Sequence, residues 1–226
     1  IILIVEDDIA DNVSNPNKGV IQVTIGGNNV YENVEIDYRM SSLKAKDILA
    51  ILNGEKSESL PTVIESTEND NLFVFWSGHG VPGAMCWDEE PYAMTGDDLS
   101  TVFKDMNLKR RYRKLLMMVE ACFSGGVMKQ CEGIPGMLFV TAANGDETSK
   151  ADVFNSEMKV WMSNRFTSTF IEQITDNKDV AMRDLYYRLF INTVGSHVMV
   201  YNAENYGNLY SANMSEFINF KNDKSK

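Results

Sequence analysis

Leu115-Leu116-Met117-Met118-Val119-Glu120-Ala121-Cys122-Phe123-Ser124-Gly125-Gly126 decides how this chain is read. Five apolar residues without polar alternation suit a strand covered on both faces, as in a mainly parallel sheet. Past the strand come a carboxylate, a thiol and small residues, and open parallel sheets collect their ligands just beyond the carboxyl ends of strands. Runs of the same kind occupy residues 1–5, 72–76, 137–141 and 197–201. Between them, Ala45, Ile48, Leu49 and Leu52 fall at i, i+3, i+4 and i+7, which predicts a helix with Ser41 or Ser42 as N-cap and Gly54 as its stop. Leu99, Val102, Phe103 and Met106 mark a second helix, and Met182, Leu185, Tyr186 and Leu189 a third. The alternation predicts an α/β fold with helices on both sheet faces. Segments 11–19, 26–29, 57–70 and 144–156 read as loops from their Gly, Asn, Asp and Ser content. No repeat or linker divides the chain, so residues 1–220 read as one domain and residues 221–226 as a polar tail.

Composition narrows the function classes. The chain has 226 residues, 44% hydrophobic and 23% charged, the balance of a globular domain and not of a disordered or fibrous one. Lys and Arg number 21 against 32 Asp and Glu, a formal net charge of −11, so a nucleic acid or an anionic membrane would meet repulsion. No stretch reaches the roughly 18–20 apolar residues that span a bilayer. Cys86, Cys122 and Cys131 have neither a CxxC pair nor the density of a disulfide scaffold, and Cys86 and Cys131 read as packed or free thiols. With only His79 and His197 and no metal-ligand spacing, neither a metal nor another cofactor is expected. The basic cluster Lys109-Arg110-Arg111-Tyr112-Arg113-Lys114 and the acidic Asp88-Glu89-Glu90 read as solvated connections.

A second strand ends Phe75-Trp76-Ser77-Gly78-His79-Gly80. His79 and Cys122 are 43 residues apart (122 minus 79), about one strand-helix-strand step, so both are expected at the same edge of neighbouring strands. Each sits beside small residues that let a substrate backbone approach. The pair suits thiolate attack on a carbonyl, with His79 as proton carrier and backbone N–H groups as oxyanion donors.

In this order the residues resemble the legumain-type cysteine peptidases, asparaginyl endopeptidases of the wider group that includes caspases and gingipains. Strand-His79-Gly80 followed by strand-Glu120-Ala121-Cys122-Phe123-Ser124-Gly125 carries the resemblance, with Tyr112-Arg113-Lys114 before the cysteine strand and Thr141-Ala142-Ala143-Asn144 after it. Asp7-Asp8-Ile9-Ala10, Asn15-Pro16, Ile48-Leu49-Ala50-Ile51-Leu52-Asn53-Gly54 and Ser196-His197-Val198-Met199 extend it over most of residues 1–201. It implies a caspase-like three-layer α/β/α sandwich and hydrolysis of a protein or peptide after Asn or, less readily, Asp. Cys122 then resembles the nucleophile, His79 the general acid/base, and the amides of Gly80 and Cys122 the oxyanion hole. Glu120 resembles an acidic wall of the S1 pocket, and Thr148 and Ser149 the small hydroxyl residues lining the substrate channel. A zymogen held latent by a pro-segment is also implied, as is an acidic or extracytoplasmic compartment, although unpaired thiols fit a cytosol equally well.

The pattern departs from the family in several places. Legumain-type enzymes have a strand and helix ahead of the point where this chain opens on Ile1-Ile2-Leu3-Ile4-Val5, and these supply an Asn supporting the histidine and an S1 Arg. The chain is therefore expected to be a fragment or processed product whose sheet a pro-segment or second chain completes. Asn164 stands where legumains have a second S1 acid, which leaves the preference for Asn open. Asn164-Arg165-Phe166-Thr167 resembles the Asp-Arg-Phe-Thr of the GPI transamidase catalytic subunit, so acyl transfer to an amine stands beside hydrolysis. A latent or non-catalytic binding module is the third reading. Arg165 either lends charge to the pocket or is an exposed helix-start residue. Gly78 replaces the Asp that precedes the histidine in many legumains, so ligase behaviour is not implied. His197 reads as structural, inside an apolar strand.

Overall fold

The computed structural model describes residues 1–6, 10–13, 15–87 and 90–218, without the side chains of 87 and 90–93. The expectations for Asp7-Asp8-Ile9, for Asp88-Glu89 and for the 221–226 tail lie outside the described residues. In chain order the elements are β1 (Ile4–Val5), β2 (Tyr38–Arg39), α1 (Ala45–Asn53), β3 (Asn71–Ser77), β4 (Gly80–Val81), β5 (Ala84–Trp87), β6 (Glu90–Thr95), α2 (Gly96–Leu108), β7 (Lys114–Glu120) and α3 (Ser124–Met128). There follow β8 (Met137–Thr141), β9 (Ala151–Asn155), β10 (Val160–Asn164), α4 (Arg165–Asp176), α5 (Met182–Asn192), β11 (Met199–Tyr201) and α6 (Ala203–Tyr206).

The apolar run of β7 is continuous because its two faces feed two cores. Leu115, Met117 and Val119 pack with Ile48 and Leu52 of α1 and Leu99 and Phe103 of α2. Leu116 and Met118, one step out of phase, pack with Phe166 and Phe170 of α4 and Leu185 and Leu189 of α5. This period of two, with helices on either side, makes a three-layer α/β/α sandwich about the central sheet. Its order is β11-β8-β7-β3. β3, β7 and β8 run parallel, as expected, and β11 is antiparallel to β8. Phe103 against Phe139 on one face and Phe75 against Phe170 on the other hold the layers, with ring centroids 5.7 and 5.8 Å apart. A fully buried side chain of this size contributes about 1.5–3 kcal/mol.

Local chemistry sets the helix ends. Helix α1 is preceded by its N-cap Lys44, whose N–H donates to Asp47 Oδ2 at 2.7 Å. Ser41 and Ser42, the expected caps, lie in a preceding 3-10 turn, where the Ser42 hydroxyl bonds the Arg39 carbonyl. Gly54 ends the helix at φ 70°, as its position predicts. Thr95 and Asp98 cap α2 reciprocally, Asp98 N–H donating to Thr95 Oγ1 and Thr95 N–H to Asp98 Oδ2.

Three further readings change. The segment 144–156 contains strand β9, which pairs antiparallel with β10, so only its first part is a loop. Polar Asp152 and Asn155 are its buried residues, the reverse of the usual strand signal. The 197–201 run shortens to Met199–Tyr201, which puts His197 outside the strand and exposed. The 1–5 run shortens to Ile4–Val5, which pairs with β2 and not with the central sheet.

Among the described residues, β1 pairs with β2 and β3 with β7. Between β1 and β3 lies a cavity of about 850 Å³, lined by Ile2, Ile4, Leu72, Val74 and Trp76 and reaching His79. No helix of the described residues is long and apolar enough to cross a membrane.

Candidate active site

The site begins with strand register. β3 and β7 pair in parallel without a slip, Ser77 opposite Glu120, and the chain continues past both. Gly78 N–H donates to the Glu120 carbonyl at 3.0 Å, carrying the pairing one residue further. His79 and Cys122, each two residues past that last pair, leave the same edge of the sheet. Gly80 then crosses the backbone of Cys122 so closely that a methyl group on it would drive into the Cys122 carbonyl oxygen. Glycine is required there by the approach of two main chains. His79 is exposed and Cys122 half-buried.

Immediately after Cys122 the chain turns sharply. Phe123 takes φ 55° and ψ 14°, a left-handed conformation uncommon for a side chain of this kind. Its N–H donates to the carbonyl of Glu147 at 2.8 Å. Gly125 N–H donates to the Ala143 carbonyl at 3.1 Å. A Cβ on Gly145 would meet Gly126 backbone at 3.1 Å, so the turn after Cys122 and the loop after β8 pack main chain to main chain.

That loop brings Ser149 to Cys122, its Oγ 3.9 Å from Sγ. Thr148 does not join it. It is exposed, and its hydroxyl accepts from Lys150 Nζ at 2.9 Å. Only one of the two hydroxyls therefore faces the thiol.

Glu120 is 1% exposed. Oε2 accepts from the N–H and the hydroxyl of Thr167, each at 3.1 Å, while Oε1 is buried without a hydrogen-bond partner. Burial pushes the carboxyl above its ordinary range, and the Thr167 contacts, with the nearby Ser149 hydroxyl and Phe166 N–H, offset only part of that. A buried carboxylate with one unsatisfied oxygen is a ready acceptor for an amide N–H.

Asn164, half-buried, ends β10 and starts α4 without a side-chain cap bond. Arg165 beside it is bound to Asp152, Nη2 to Oδ1 at 2.8 Å, so its charge is met by a carboxylate of β9. Sequence reading identified neither this ion pair nor the role of Thr167 beneath Glu120, because both join residues far apart in the chain. Glu147 was also missed. Its Oε1 accepts from Asn144 N–H at 3.1 Å and His197 N–H at 2.7 Å, and Oε2 lies 2.9 Å from His197 Nδ1. Burial alone would raise this carboxyl, but those donors together hold it below its ordinary value. None of the three cysteines is in a disulfide, and burial pushes the Cys131 thiol up to about 12.

Known proteins resemble this chain over most of its length. Rat (Rattus norvegicus) legumain is 29% identical over 208 residues, covering 89% of this chain and 47% of the relative. Schistosoma mansoni hemoglobinase is 35% identical over 153 residues, 66% of this chain and 34% of the relative. The vacuolar-processing enzyme of Ricinus communis is 36% identical over 156 residues, 66% of this chain and 31% of the relative. The chain spans about half the length, or less, of these curated relatives. Residues 1–217 match the model of the Peptidase C13 family, nearly the whole chain and every element described above, and the chain therefore belongs to the Peptidase C13 family.

Proposed function

We propose that the chain is the peptidase core of a legumain-like cysteine endopeptidase that cuts peptide bonds after Asn or Asp through Cys122 and His79. The observation that carries this reading is the unslipped β3–β7 register, with Gly80 crossing Cys122. The Cys122 sulfur attacks the scissile carbonyl carbon and its proton passes to His79, which returns one to the leaving amine as the C–N bond breaks. Water then cleaves the thioester, releasing the acid and regenerating the thiol. The developing oxyanion falls to the amides of Gly80 and Cys122, since the Phe123 amide is already engaged by Glu147. Glu120 forms the acidic wall of S1 with Ser149 beside it, and Asn164 and Arg165 sit at its outer side.

A peptide panel varied at the residue before the scissile bond tests the reading. Turnover after Asn or Asp that disappears in Cys122→Ala is expected, and turnover surviving that change would end it. Acyl transfer is the second reading, favoured by Asn164-Arg165-Phe166-Thr167, which resembles the Asp-Arg-Phe-Thr of the GPI transamidase catalytic subunit. Products made with added glycinamide would gain its mass if transfer occurs, and would not under hydrolysis alone.

The cavity between β1 and β3 supports the further reading that a strand from a pro-segment or a second chain completes the sheet beside His79. A second copy in that role requires a dimer in light scattering. The similarity to a vacuolar-processing enzyme of Ricinus communis supports an extracytoplasmic setting.

A further inference from the structure

Glu147 joins three pieces of chain that approach one another only in the folded protein. Its carbonyl takes the Phe123 N–H, the amide that follows the nucleophile and sits in a left-handed turn. Its carboxylate takes Asn144 N–H from its own loop and two donors from His197, ahead of β11. Ser149, two residues further along the same loop, is the hydroxyl beside Cys122. The lead into β11 is itself tied down, because Ser196 Oγ donates to the Ala142 carbonyl at 2.7 Å. An exposed ion pair by itself holds little. Here one carboxylate accepts two main-chain amides as well as the imidazole, so it sets backbone geometry and does more than neutralise charge. Nδ1 must carry a proton to donate to this carboxylate, which defines the orientation of the ring.

We infer that the Glu147–His197 pair is a positioning clamp that fixes the Phe123 turn and the Ser149 loop around Cys122. Neither residue touches the reacting atoms. Both act through the placement of Phe123 and Ser149, and the inference rests on the proposed peptidase reading for its kinetic consequence only.

The test compares His197→Ala, His197→Gln and Glu147→Ala with the parent chain. His197→Ala and Glu147→Ala should lower kcat about ten- to hundredfold and slow labelling of Cys122 by a peptidyl electrophile, the effect of a small misplacement near a reacting group. His197→Gln retains a side-chain N–H donor and should recover most of the loss. Hydrogen exchange gives a readout that needs no activity: in both alanine variants the Phe123 amide and the 144–150 loop should exchange faster, while the β7 amides remain as protected as in the parent. If the parent neither cleaves peptides nor labels, the peptidase reading fails and exchange alone decides the clamp. Unchanged exchange at Phe123 and 144–150, or an active parent whose alanine variants keep kcat within twofold, overturns the clamp. So does a glutamine variant no better than alanine.

Discussion

Ser77 lies directly opposite Glu120 in the parallel pairing of β3 with β7, and the two strands leave the sheet in step. His79 and Cys122 therefore emerge from one edge, and Gly80 passes over the Cys122 carbonyl with no room for a side chain. The geometry of the candidate site is the continuation of a strand register that two buried cores hold in place. A slip of one residue would exchange the two faces of β3 and expose both apolar sets to the wrong helices.

Gly80→Ala tests that contact. The added methyl would overlap the Cys122 carbonyl group, which is main chain, so the backbone must move. Peptide turnover should fall by about a hundredfold or more, with a melting temperature only a few degrees lower. Parental turnover would mean that the two main chains are farther apart than described.

Glu120→Gln separates stability from function. The folded Glu120 carboxyl titrates above its ordinary value of 4.5 because it is buried. Its contribution is thus most favourable below that value and is lost as pH rises through the raised one. The glutamine variant should melt with the parent in acid and a few degrees above it near neutrality. Turnover of an Asn substrate should drop about tenfold or more, since the amide N–H loses its anionic acceptor. Thermal melts and kinetics over pH check both halves.

Asp152→Asn should free the Arg165 guanidinium, now bound to Asp152 Oδ1. Preference for Asp over Asn before the scissile bond is expected to rise several-fold, while Arg165→Ala leaves the Asn rate within about threefold. Equal preference in parent and Asp152→Asn would place Arg165 outside the pocket.

Alkylation should discriminate among the thiols. Cys131 is fully buried, its thiol pushed up to about 12, and should resist iodoacetamide in the native protein at pH 8. Cys122, half-buried at the cleft, should react first. Mass mapping of the modified peptides reads the order.

Phe139→Ala removes a fully buried ring that packs on Phe103 in the core between the sheet and α2. A cost of about 3–5 kcal/mol is expected, or roughly ten degrees in melting temperature for a chain of this size. Peptide turnover measured well below the melt should survive.

Much of this was legible before any coordinates. Unbroken apolar runs such as Leu115 to Val119 can only be buried on both sides, which forces a central sheet between helices, and helical spacing in Ala45, Ile48, Leu49 and Leu52 marked a layer above it. The His79 and Cys122 motifs followed from their places at strand ends. Less visible was β9, because Asp152 and Asn155 are its buried residues and the Asn, Asp and Ser of the 144–156 stretch imitate a loop. His197 was misplaced for the opposite reason: apolar neighbours suggested a strand, whereas the ladder begins only at Met199.

The sequence by itself determined the layers, the parallel core and the strand ends from which a thiol and an imidazole project, since these depend on local periodicity and on burial of neighbouring residues. Only the tertiary structure decided that Thr167 lies under Glu120, that Asp152 neutralises Arg165 and that Glu147 ties Phe123 to His197. Each of those contacts joins segments 13 to 50 or so residues apart through one or two hydrogen bonds or an ion pair, with no repeating pattern along the chain to announce them. A hydrophobic face repeats every two or 3.6 residues and can be read in one dimension, whereas a polar contact is specified only by where folding leaves its two ends.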